Sequence, residues 1–126
     1  MDIESIVTSD APTPAGHYSQ GIAHDGLLFV AGQLAVRPDG GHQLDAPFED
    51  QARQAIANML AIVRAGGSSP GRVLKVNVYI VGVEHWPAFN RVYAEMFGDA
   101  RPARAVIPVP ELHHGYLVEI DAVAAR

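Results

Sequence analysis

The segment from Leu27 to Ala35 (Leu-Leu-Phe-Val-Ala-Gly-Gln-Leu-Ala) is largely apolar on both faces when read as a strand. Alternation puts Leu28, Val30, Gly32 and Leu34 on one face and Leu27, Phe29, Ala31 and Gln33 on the other. A strand of this kind belongs in a sheet covered on both sides, so the cover the chain can offer constrains its fold. His17 to Ala23 precedes it across Asp25-Gly26, a two-residue turn signal, and the two segments are expected to form a hairpin.

Two segments carry a helical period. Phe48, Ala52, Ile56, Met59 and Val63 recur at helical spacing, widened by Ala55 and Ile62; Asp45 and Pro47 mark the start and Gly66-Gly67 the stop. The second helix runs from about Glu84 to Phe97, with Trp86, Phe89, Tyr93 and Met96 or Phe97 inward, and ends at Gly98. Strands are expected at Ile3 to Thr8, Val73 to Val81, Arg104 to Val109 and Tyr116 to Ala124. The fold class is therefore α+β, a single domain over residues 1–126 with two helices on one face of a mixed sheet. The other face keeps its apolar side chains, and self-association about a symmetry axis is the simplest way to cover it.

Composition narrows the function. The formal net charge is −5 with nine scattered basic residues, which speaks against a nucleic-acid footprint. No apolar run approaches the ~20 residues needed to span a bilayer, and the N-terminus lacks the pattern of a signal peptide, so a cytoplasmic location is expected, with no membrane partner. With no cysteine, thiolate metal sites and thiol nucleophiles are excluded. The six histidines show no HxH or HxxxH pair, and adjacent His113 and His114 would point apart in an extended segment. They read as solvated loop residues, and no metal site is assigned. No serine sits in a nucleophile elbow, and Gly66-Gly67-Ser68-Ser69-Pro70-Gly71 lacks the lysine of a phosphate loop.

Two charged residues stand out in apolar strands. Arg104 heads Ala105-Val106-Ile107-Pro108-Val109, and Glu119 lies among Val118, Ile120 and Val123. A guanidinium in a buried strand needs an anion, either a protein acid or a ligand carboxylate held through two parallel hydrogen bonds. Antiparallel pairing of the last two strands would bring Glu119 near Arg104, and on the residues alone a structural ion pair is the commoner arrangement.

Taken together, Ala11-Pro12-Thr13-Pro14-Ala15-Gly16-His17-Tyr18-Ser19-Gln20, Phe29-Val30-Ala31-Gly32-Gln33-Leu34, Gln51 to Asn58, Phe89-Asn90-Arg91-Val92-Tyr93, Pro102-Ala103-Arg104 and Val118 to Ala124 resemble the reactive intermediate deaminase A (RidA, or YjgF) family. The resemblance runs in order through nearly the whole chain. It implies a chorismate-mutase-like homotrimer with a central β-barrel and ligand clefts at the subunit interfaces. It also implies cofactor-independent hydrolysis of small carboxylated enamines and imines, of the 2-aminoacrylate and 2-iminobutanoate type, to 2-keto acids and ammonia. On the family pattern Arg104 clamps the substrate carboxylate, the Gly32 amide and the Val106 backbone add hydrogen bonds, Tyr18 walls the cleft from the neighbouring subunit, and Glu119 positions the attacking water. Ala31 and Val106 stand where many deaminating members carry serine and cysteine. Two other readings use the same fold: a pathway enzyme for a different carboxylated imine, and a non-catalytic trimer that binds a small ligand or a protein.

Overall fold

The structure, a computed structural model, describes residues 2–126. One sheet holds six strands: β1 (Glu4–Ile6), β2 (Gly21–His24), β3 (Leu27–Gln33), β4 (Val73–Ile80), β5 (Ala103–Pro108) and β6 (Val118–Ala125), in the order β1-β2-β3-β6-β4-β5. All neighbours are antiparallel except β4 and β5, which are parallel, so the sheet is mixed. Two helices, α1 (Phe48–Ala65) and α2 (Trp86–Phe97), supply the cover.

The expected stripe of α1 is buried throughout: Phe48, Ala52, Ala55, Ile56, Met59, Ile62 and Val63. It packs against β3, where Leu28 and Val30 are buried, and β6, where Val118, Ile120, Ala122 and Ala124 are buried; Val76, Val78 and Ile80 of β4 belong to the same core. Removing each larger aliphatic side chain from water contributes about 1.5–3 kcal/mol, which is why a helix with otherwise ordinary composition holds here. In α2 the inward residues are Phe89, Val92, Tyr93 and Phe97, while Trp86 is only half-buried and lies at the helix start. The Asp25-Gly26 turn closes β2 on β3 with both residues at positive φ (52° and 80°), the geometry that matches the twist of a two-residue hairpin.

Two expectations change. β5 does not pair with β6: β4 lies between them, with Val76 opposite both Arg104 and Ala122. Because β5 is the edge strand, Arg104 is exposed rather than buried in the chain. The regular alternation of β3 also fails after Val30. Val30 faces Ala122 and Gln33 faces Ile120, so three steps along β3 match two along β6. This bulge turns Gln33 into the interior, where it is buried, and moves Gly32 to the opposite face.

That opposite face carries no helix. Phe29 is 45% exposed and Ile107 38%, leaving an apolar surface beside a polar group in which Asn77 Nδ2 (3.0 Å) and Tyr79 Oη (3.2 Å) donate to the Asp121 carboxylate.

Candidate active site

At the bulge the backbone comes unusually close to a carboxylate. A Cβ on Gly32 would lie 2.7 Å from Glu119 Oε2, so only glycine lets the acid rest against the bare main chain there. Glu119 is half-buried, on the helix-free face with Asp121, while Val118 and Ile120 point into the core. Desolvation, and next the charge of Asp121, push its pKa above the ordinary carboxylate value, opposed by the charge of His113.

Gly32 and Glu119 line a cavity of about 490 Å³, together with Tyr18, Ala31, Pro12 and Ala15. Three of the five expected site residues, Tyr18, Gly32 and Glu119, thus meet within one chain. Arg104 and Val106 are not part of that wall. Arg104 points to the helix side, its guanidinium over the rings of Tyr93 (4.8 Å) and Phe89 (5.9 Å), a cation–π shelf. Beneath it the buried Tyr93 hydroxyl has no hydrogen-bond partner, and burial pushes its pKa up to about 12, opposed by the charge of Arg104. The structural ion pair with Glu119 is not formed. Among the described residues the ion pairs join Arg53 to Asp50 and Glu95, and Arg126 to Glu4.

Buried polar side chains shape the cavity loops, and reading the sequence as periodic faces missed them. Asn58, fully buried on α1, donates to the carbonyls of Leu34 (3.1 Å) and Val36 (2.7 Å), both on the cavity wall. Gln20 accepts from Thr8 N (2.8 Å) and donates to the carbonyls of Ala11 and Pro12, which fixes the opposite wall. Gln51 accepts from Leu117 N (3.0 Å), setting the entry to β6 one residue before Val118. A signal was present: Gln51 and Asn58 fall at helical spacing beside the apolar stripe of α1, where a polar residue must have a buried partner.

The histidines also differ from the expected scatter. His42, His113 and His114, though exposed, line the cavity together. His113 and His114 do not point apart. They sit in a tight turn with His114 at φ 63°, and their rings stack at 3.7 Å; His42 lies 4.6 Å from His114. Among the described residues no group of three or more histidine and acidic side chains is arranged to hold a metal ion.

The fold and cavity define a class of small α+β proteins with one sheet face under helices and a carboxylate-bearing cleft beside the other. Residues 8–126 match the family model described as Endoribonuclease L-PSP. A RutC family protein of Pyrococcus horikoshii is 41% identical over 123 residues, 98% of each chain. A 2-iminobutanoate/2-iminopropanoate deaminase of Dermatophagoides farinae is 36% identical over 94% of this chain and 92% of its own. The crystal structure of E. coli TdcF with bound serine superposes with a TM-score of 0.92 at 34% identity, over 98% of both chains. The chain belongs to this family, the YjgF/RidA family.

Proposed function

We propose that the protein hydrolyses small enamines and imines of 2-amino acids, of the 2-aminoacrylate and 2-iminobutanoate type, to the 2-keto acid and ammonia. The observation that carries this reading is the half-buried Glu119 carboxylate held against the bare backbone of Gly32 in a cavity. An imine carbon is already electrophilic, so the chemistry asks for a held water, a base and an oriented substrate. Glu119 accepts a proton from the water as its oxygen bonds to the imine carbon; protonation of the nitrogen and cleavage of the C–N bond then release ammonia. Its raised pKa makes it a stronger base when ionised and a competent donor to the leaving nitrogen.

Arg104 is the residue for the substrate carboxylate: it has a planar fork, is backed by an aromatic shelf and makes no ion pair among the described residues. It lies on the other face of the sheet from Glu119, so a complete site takes Arg104 and the Val106 backbone from one chain and Gly32, Glu119 and Tyr18 from another. The uncovered apolar face that includes Phe29 and Ile107 supports such an assembly, a homotrimer with sheets inward. The curated deaminase at 36% identity and the serine-bound relative support a small amino-acid-derived substrate. An RNA substrate, which the description of the family model names, fits poorly with a net charge of −5.

The test generates 2-aminoacrylate in situ with a pyridoxal-phosphate-dependent serine dehydratase and follows 2-keto acid release. The expected result is acceleration by the protein beyond the spontaneous rate; an unchanged rate removes the reading. Multi-angle light scattering checks the assembly, and a monomer would exclude the shared site.

A further inference from the structure

We propose that the imidazoles of His42, His113 and His114 form a second anion subsite in the cavity, which favours substrates carrying another carboxylate at the far end of the side chain. This rests on the reading of the cavity as an imine hydrolase and adds a specificity that Arg104 and Glu119 do not supply.

Three observations converge. First, residues about 70 positions apart bring three aromatic rings to one wall, with centroids 3.7 Å and 4.6 Å apart, and all three face the space that holds Glu119. Second, the arrangement is held rather than loose. Tyr116, 1% exposed, accepts from Gln43 N (3.2 Å) and lies 2.8 Å from His42 Nδ1. Either tautomer of His42 can make this contact, since the tyrosine hydroxyl can donate to Nδ1 or accept from it. His114 adopts a left-handed backbone, φ 63° and ψ 0°, an uncommon conformation for a residue with a side chain; Gly115 follows at φ 88°. Third, in the chain described here the cavity, at about 490 Å³, is several times larger than a three-carbon imino acid requires.

The charges around the cluster fit an anion. Tyr18 and Glu119 line the same cavity, with the charge of His113 acting on Glu119; Tyr116 contacts His42, and Arg37 Nη1 reaches the His42 carbonyl at 3.4 Å. Glu111 flanks the outer side of His113 and His114, and Asp39 is occupied by Gly41 N. Among the described residues no carboxylate lies within ion-pair distance of any of the three rings. Desolvation, then the neighbouring His113 and His42, hold His114 below the ordinary imidazole value. An anion seated among the rings reverses that balance, so a second carboxylate binds with proton uptake and its affinity rises as pH falls.

The test is titration calorimetry of the intact oligomer with 2-ketobutyrate and 2-ketoglutarate, stable 2-keto acids that differ by a second carboxylate. Between about pH 8 and about pH 6 the preference for the dicarboxylate should grow at least roughly tenfold, toward a limit of about a hundredfold at one decade per pH unit for one proton taken up. Protonation of Glu119 acts on both acids and cancels in the ratio. His113→Asn with His114→Asn should flatten the ratio, asparagine being tolerated at positive φ; His42→Gln provides a second variant with the turn untouched. A ratio that does not change with pH, one that persists in both variants, or failure of both acids to bind overturns the subsite. If the ratio behaves as expected but 2-aminoacrylate hydrolysis is not accelerated, the subsite stands and the hydrolase reading falls.

Discussion

Arg104 and Glu119 lie on opposite faces of the same sheet: the guanidinium stacks 4.8 Å above the Tyr93 ring on the helix side, and the carboxylate rests beside Gly32 on the open side. On the proposed reading, one small ligand therefore meets both groups only where two chains join. Arg104→Ala and Glu119→Gln chains should each be inactive alone, yet regain activity when unfolded together and refolded. Random assembly at equal ratio gives about one quarter of interfaces with both native groups, so roughly a quarter of native activity is expected in the mixture. No recovery would exclude a site shared between chains. Arg104→Lys should remain impaired by about 10- to 100-fold in kcat/KM, since an ammonium lacks the two-pronged geometry.

Gly32→Ala tests the close approach. The added methyl would lie 2.7 Å from Glu119 Oε2, and the carboxylate must swing away. Displacing a water-holding group by a fraction of an ångström should lower kcat by roughly 10- to 100-fold, with a much smaller change in thermal stability. Steady-state kinetics beside a melting curve separate the two effects.

Asn58→Ala removes the donor to the carbonyls of Leu34 and Val36 inside a fully buried site. Two acceptors left dry should cost about 2–4 kcal/mol in urea unfolding. Because both carbonyls belong to the cavity wall, KM should also rise; a variant with lowered stability and unaltered KM would confine Asn58 to a scaffold role.

The raised pKa of Glu119 predicts two pH effects. A carboxyl whose folded value exceeds its unfolded one favours the protonated form in the fold; that stabilisation is complete below the unfolded value and is lost as pH rises through the folded one. Glu119→Gln, which mimics the protonated form, should therefore be more stable than the parent at neutral pH, with the gap closing in acid. Asp121→Asn removes a charge that raises the pKa while keeping an acceptor for Asn77; its amide nitrogen can donate to the Tyr79 hydroxyl in place of the bond that Asp121 accepts. The acid limb of its pH–rate profile should move to lower pH; a limb that stays in place would mean that another group controls it.

The helices, the hairpin and the two faces of β6 were legible because each is written in a local period. Strand order was not: alternation tells which side of β5 and β6 is apolar but not that β4 would lie between them, and this separates Arg104 from Glu119. The bulge was equally hidden, since Ala31, Gly32 and Gln33 fit regular alternation as readily as a slipped one. The histidine wall depends on the buried Tyr116 hydroxyl, which joins the turn of His113 and His114 to His42 and Gln43 across more than 70 positions, and spacing alone carries no trace of it.

The single extra residue in β3 has a consequence beyond geometry. Deleting Ala31 would restore an even ladder against β6 and leave the apolar layer beneath α1 intact. Such a protein should fold, and yet Gly32 would then stand opposite Asp121 in a regular ladder, without the distortion that now brings its backbone against Glu119. A change of one residue in length, rather than any exchange of side chains, would therefore be enough to remake the contact on which the proposed hydrolysis depends.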